Sequence, residues 1–360
     1  MVRKLFLGLG VFLLSVIVGL VIYNVILSVK YKDAIFTASL AEKELNELTF
    51  VNQFKQKWGD EIWPEFGTKN IPIVLFNDKY SFLSNSHAVD SSWTKTPEQP
   101  LEGLTIYRKS AVDPQAFAIP VGDDWAASLG MQDQMNRQMF LGIRNEIPVA
   151  FKFVLPYFLI SIKDDVHFAS LFHEMFHAFQ AKMHEEKFLA CEASHRYLKD
   201  YPYKNDRFRK LWNKEGRLLK KALESQELAV RRVYADSFLS VRAQRRALAA
   251  LSDHHLKTEK QLEWLEGLAK YAEYSAYIIA LEKDNDRINF KAKNAYWQIE
   301  KKQRLKALGE SGGDNRFYYS GMAMAFLLDD LYPNWKSAVF EENIYLDDLL
   351  NRAMGKNSEL

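Results

Sequence analysis

The sequence predicts an α+β fold, and three stretches carry that expectation. Residues 5–29 contain no charged side chain and consist mainly of Leu, Val, Ile, Phe and Gly. Residues 66–163 break into short β-type runs separated by loops rich in Asp, Ser, Asn, Pro and Gly. From Asp164 onward the apolar residues recur with helical spacing almost to the end. A small sheet followed by a helical half is an α+β arrangement. With 360 residues, 48% hydrophobic and 26% charged, the composition is that of a folded chain rather than a disordered one.

The apolar run at 5–29 is long enough, at about 1.5 Å per residue, to cross a hydrocarbon core of about 30 Å with some tilt. The rival reading is a cleaved signal peptide ending at the small-x-small tripeptide Ser39-Leu40-Ala41. A signal peptide's apolar stretch is usually only about 7–15 residues, so an uncleaved anchor is the expectation. Arg3 and Lys4 precede the run, and this basic flank keeps the short amino end in the cytoplasm and the remainder outside. The localisation that follows is a cell (inner) membrane, crossed once.

Residues 33–58 read as an amphipathic helix, ended by Gly59 and Pro64, that continues the anchor as a stalk. Strands are expected at 71–76, 104–107, 116–121 and 149–162; Pro156 makes the last an edge strand or two shorter ones. Asp164 or Asp165 is suited to cap a helix over 166–187. Further helices are expected near 206–224, 226–252, 258–283, 287–308, 316–331 and 340–353. The division is then a stub and anchor (1–29), a juxtamembrane stalk (30–65), a β-rich part (66–165) and a helical part (166–360).

Arg3 and Lys4 account for the whole formal charge of +2, so no overall field points to nucleic acid. The single cysteine, Cys191, excludes an intrachain disulfide and has no metal or redox spacing around it. Residues 204–246 hold 13 Lys and Arg against 5 Asp and Glu. Such a run marks a solvated helical face, or one that rests on anionic headgroups beside an anchor.

The chemistry is concentrated in His173-Glu174-Met175-Phe176-His177. One helical turn puts residues i and i+4 on one face, so the two imidazoles can reach one ion. Nitrogen ligands in this arrangement suit tetrahedral Zn2+. Glu174, beside the first histidine, can reach a water on the ion without ligating it. Phe172, Phe176 and Phe179 would pack the helix into the domain. A catalytic zinc needs a third protein ligand. A glycine at 180 and a histidine at 183 would supply a known pattern, but Gln180 and Met183 stand there, and His184 is one residue out of step. His87, His167 and His195 read as loop or helix-surface residues.

The stretch Trp264-Leu265-Glu266-Gly267-Leu268-Ala269-Lys270-Tyr271 resembles the WLNEGFAxY segment of the aminopeptidase N-like gluzincins, without its asparagine. The resemblance implies that Glu266 is the third zinc ligand; Glu273, seven residues on, is the next candidate. Tyr318-Tyr319-Ser320-Gly321 resembles the YEKG stretch of the same group, which implies an oxyanion-stabilising role for Tyr318, with Tyr319 its competitor. The likeness covers about 165–335 and implies a zincin-like fold. Between His177 and Glu266 lie 88 residues, far more than in typical gluzincins, and the GAMEN-type sequence that binds a free amino terminus is missing. What it implies for function is a membrane-anchored zinc peptidase acting on a peptide or protein substrate, with Glu174 as general base and Tyr318 on the developing oxyanion. A substrate strand would pair with an edge at 149–162. The alternative is a catalytically inactive, membrane-tethered binding module of the same fold.

Overall fold

The computed structural model describes residues 2–33, 37–86, 89–96, 104–110, 115–284 and 303–356. Helix α1 (Val2–Lys30) carries the apolar run, and its span from Gly8 to Lys30 is long and apolar enough to cross a membrane. A break separates it from α2 (Glu42–Ile62). The amphipathic helix expected at 33–58 forms from Glu42 and runs past Gly59 to Ile62, but it packs into the domain rather than standing as a stalk. Leu48, Phe50, Val51 and Phe54 are buried in the main core, because the apolar stripe of α2 packs against the helix that carries the histidine motif.

Among the described residues six strands follow: β1 (Ile73–Phe76), β2 (Tyr80–Ser84), β3 (Thr94–Lys95), β4 (Ile106–Ser110), β5 (Phe117–Val121) and β6 (Asp124–Gly130). They form one mixed sheet in the order β3-β4-β2-β1-β6-β5. The β1–β6 pair is parallel and every other pair is antiparallel. Strand β5 is therefore a sheet edge.

The strand expected at 149–162 is absent. After α3 (Gln132–Glu146) the chain makes a 3-10 turn at Val149–Phe151 and a one-turn helix α4 (Tyr157–Ile160). Its apolar residues have no neighbouring strand to pair with; instead the segment lies against the end of α1, where Asn24 Nδ2 donates to the carbonyls of Phe153 and Leu155.

The helical part begins with α5 (Asp164–Met183), two residues before its expected start at 166. Lys163 stands at the cap position, and Asp164 and Asp165 occupy the first turn, where carboxylates favour the helix dipole. The helix stops at Met183 rather than continuing to 187. His184 accepts from the Lys187 backbone N–H and so caps α6 (Glu185–Ala193). A 3-10 segment (Ser194–Asp200), α7 (Asp206–Glu224), α8 (Leu228–Leu248) and α9 (Asp253–Leu262) come next. Helix α9 runs through a π turn (Glu263–Gly267) into α10 (Leu268–Lys283). The chain ends with α11 (Asn315–Leu331), α12 (Trp335–Ala338) and α13 (Leu346–Ala353). His87 and most of the helix expected at 287–308 lie outside the described residues.

The basic run at 204–246 is not one continuous solvated face. Arg242 and Arg245 are fully buried and join Glu215, Glu259 and Glu263 in an ionic network between α7, α8, α9 and the π turn. Arg246, mostly buried, adds Asp347 of α13.

Candidate metal centre

Helix α5 lies between the sheet and α10, with Phe168, Phe172, Phe176 and Phe179 all buried. That packing fixes its rotation. The histidine face is turned toward α10 and β5, and the Phe117 ring of β5 lies 4.7 Å from the His177 ring.

Each imidazole is held from behind. The His177 Nδ1 lies 3.0 Å from Gln180 Oε1, while the Gln180 amide donates to the Trp264 carbonyl at 2.8 Å. Since that amide is spent as a donor, Gln180 Oε1 must accept, and Nδ1 of His177 carries the proton. His173 Nδ1 lies 3.1 Å from Glu273 Oε2, and Lys270 neutralises the other Glu273 oxygen at 2.6 Å. With both Nδ1 atoms engaged, the two Nε2 atoms face each other at 3.1 Å.

Glu266 completes the triangle. Its Oε2 is 3.4 Å from His173 Nε2 and 3.3 Å from His177 Nε2. A tetrahedral zinc with bonds of about 2.0–2.1 Å separates its ligand atoms by about 3.3–3.4 Å. The triangle thus has the dimensions that one such ion requires. The chemistry of the donors agrees. Glu266 Oε2 is buried without a well-directed hydrogen bond, and two imidazole lone pairs pointing at one another are unfavourable unless a cation lies between them. His173, His177 and Glu266 therefore fit a metal ion, and all three are buried.

A proton on His173 is the other way to place positive charge among these groups. Burial opposes a charge on His173, yet hydrogen bonding to Glu266 and Glu273 raises its pKa to about 10. Burial likewise opposes ionisation of Glu266, but His177 and His173 hold it far below the usual carboxylate range. Glu174 differs: burial pushes its pKa up, against the pull of His173 and His177, and its Oε2 has no hydrogen-bond partner.

Glu266 reaches the histidines because of a local irregularity. In an α-helix, residues three apart lie about 60° apart around the axis and share a face. The wider π turn opens that angle, so Glu263 faces the buried arginines while Glu266 faces the histidines. Such turns recur at functional sites. Glu263 is held by Arg242 at 2.5 and 2.8 Å and by the Ser320 hydroxyl at 2.5 Å.

Two glycines bring the second motif alongside. A Cβ on Gly267 would stand 2.5 Å from Gly321 Cα, and one on Gly321 would stand 2.5 Å from the Glu263 carbonyl oxygen. Only bare backbones can approach this closely. One turn earlier on α11, Tyr318 stacks on His173 (centroids 5.6 Å apart, planes 6° apart). Burial and then Glu266 push its phenol pKa well up, so it stays a donor. Tyr319 points away, toward Lys270 and Arg304.

The triangle assembles His173, His177 and Glu266, with Glu174 and Tyr318 beside it. His184 is occupied as a helix cap and Glu273 stands behind His173, so neither reaches the triangle. Sequence reasoning missed Gln180 and the outer place of Glu273. It also missed His195, whose Nε2 lies 3.4 Å from Asp314 Oδ2 and 3.9 Å from Glu266 Oε1. Asp314 raises the His195 pKa against burial, which places a partly exposed proton donor at the edge of the site. No local signal marks these residues, since each acts on a partner distant in sequence. His167 is not a surface residue either; it is buried against Glu47 and the Gly130 carbonyl.

Compared with protein-family models, curated proteins and solved structures, the chain matches none. The site's own geometry therefore carries the functional reading.

Proposed function

We propose that this chain is a membrane-anchored zinc metallopeptidase with a zincin-like catalytic domain of gluzincin type. The observation that carries the proposal is the triangle of two Nε2 atoms and one carboxylate oxygen, with sides of 3.1–3.4 Å. His173, His177 and Glu266 would hold the ion. Bound there, zinc would act as a Lewis acid and lower the pKa of water at its open position to about 7. Glu174, raised in proton affinity by burial, takes the water's proton and passes it to the leaving nitrogen. Tyr318 donates to the oxygen on which charge develops. An extended substrate would add to the open edge of β5, beside Phe117, instead of to 149–162.

Helix α1 supplies the anchor, and Arg3 and Lys4 favour a cytoplasmic amino end with the domain on the other side of a cell membrane. The test uses purified full-length protein in detergent. It should hold about one zinc per chain, lose it in His173→Ala, and hydrolyse members of a mixed peptide library. Glu174→Gln should keep zinc and lose about 10²–10⁴-fold in turnover. A chain that stays metal-free after zinc addition and desalting overturns the reading. Zinc binding without hydrolysis of any peptide supports the inactive binding module instead.

A further inference from the structure

Where α1 meets the domain, the surface carries an apolar patch that the catalytic reading does not use. Val149, Phe151, Phe153, Phe158, Leu159 and Ile160 are all exposed, Val149 and Leu159 at 68% and 70%. No acidic residue occurs between Glu146 and Asp164, whereas Lys152 and Lys163 do, and Arg144 stands just before the stretch. An exposed apolar patch with a basic rim, on a protein whose other exposed phenylalanines among the described residues, Phe6 and Phe12, lie on α1, marks a surface that is covered in use.

What covers it follows from its attachment. Asn24, fully buried, donates through Nδ2 to the carbonyls of Phe153 at 3.0 Å and Leu155 at 3.1 Å. Tyr23 packs edge-on against Phe158, and Tyr31, Phe140 and Tyr157 form a small buried cluster at the helix end. The segment is thereby fixed to the last two turns of α1. From Leu5 to Asn24 is 20 residues, or about 30 Å of helix, the thickness of a hydrocarbon core. Asn24 thus falls at the boundary where headgroups begin, and the patch is held at that depth.

We propose that residues 149–160 are a second membrane contact, whose apolar side chains enter the interfacial layer of the leaflet from which α1 emerges. The basic rim then faces lipid phosphates, and the domain is held to the bilayer at two points in one orientation. This rests on α1 crossing the membrane.

The test places single cysteines at Phe151, Leu159, Val18 and Val233 in the full-length chain and labels them with an environment-sensitive dye. Cys191 is buried, with its thiol pushed up to about 12 by burial, and does not compete. The chains are reconstituted in phosphatidylcholine vesicles carrying doxyl groups either near the head or near the end of the acyl chain. Labels at 151 and 159 should be quenched at least about threefold more by the shallow doxyl than the label at Val233, on exposed α8, because interfacial segments insert about 5–10 Å. The label at Val18 should respond most to the deep doxyl. An unquenched Val18 label defeats the anchor itself. A quenched Val18 label with 151 and 159 behaving like 233 overturns the second contact alone. Dye emission that shifts to the blue with protein concentration, without lipid quenching, also overturns it, since a second copy would then cover the patch.

Discussion

Glu273 shows how a single side chain would matter to the proposed metal centre without touching the ion. Its carboxylate orients His173 from behind, while Lys270 keeps it ionised in a buried position. Losing such an outer partner typically costs about 10–100-fold in metal affinity. Glu273→Ala should therefore weaken zinc binding by about that factor and leave one site per chain. Glu266→Ala should bind far more weakly still. A competition titration with a chelator of known affinity ranks the two, and equal loss in both variants would make Glu273 the ligand. The histidine pair was legible because helical spacing alone puts residues four apart on one face. Glu266 was legible only through the glycine-bearing motif around it. Gln180, Glu273 and His195 were not, because their partners lie along different stretches of chain and only folding joins them.

At the scale of elements, the π turn and α11 act as one piece. Gly267 and Gly321 touch backbone to backbone, and Ser320 ties the same α11 turn to Glu263. Glu263 in turn anchors to Arg242, so the ionic network of α7 and α8 positions the loop of helix that carries Glu266. Gly321→Ala would drive a methyl to 2.5 Å from the Glu263 carbonyl, where backbone, not a flexible side chain, must move. Overpacking of this kind costs about 1–3 kcal/mol. The expected outcome is a lower unfolding midpoint together with weaker zinc binding, because the shift separates Glu266 and Tyr318 from the histidines. Gly142→Ala on α3, where a Cβ meets nothing, is the control and should change neither. Elements themselves were unevenly legible. Long amphipathic helices declare their period, and α5, α7, α8 and the continuous run of α9, the π turn and α10 stand close to where the sequence put them. Strands β2 and β3 are short, and β6 runs through the small residues Ala126, Ala127 and Ser128, so all three passed for loops. Residues 149–162 misled in another way: an apolar run says that a segment avoids water, not that it pairs in a sheet.

At the scale of the whole molecule, one buried histidine joins three elements distant in sequence. His167, at the start of α5, reaches Glu47 of α2 at 2.6 Å and the Gly130 carbonyl at the end of β6 at 2.8 Å. Three elements that meet nowhere else in sequence are thus held by one ring. Burial and the nearby Lys43 oppose its protonation, but Glu47 and the Gly130 carbonyl outweigh them and raise its pKa above 6.5. The sign of the pH effect follows by linkage. A group whose folded pKa exceeds its unfolded value contributes stability that is complete below the unfolded value, 6.5, and is lost as pH rises through the folded one. His167→Gln removes the titration and leaves Glu47 without its cation. The stability difference between wild type and His167→Gln should therefore be greatest well below 6.5 and shrink steadily in alkaline solution. Urea unfolding of both full-length chains across that range measures it directly. A difference that is constant with pH would mean that folding leaves the His167 pKa at its unfolded value. A difference that grows with pH would reverse the sign and place the imidazole among buried groups that resist charging.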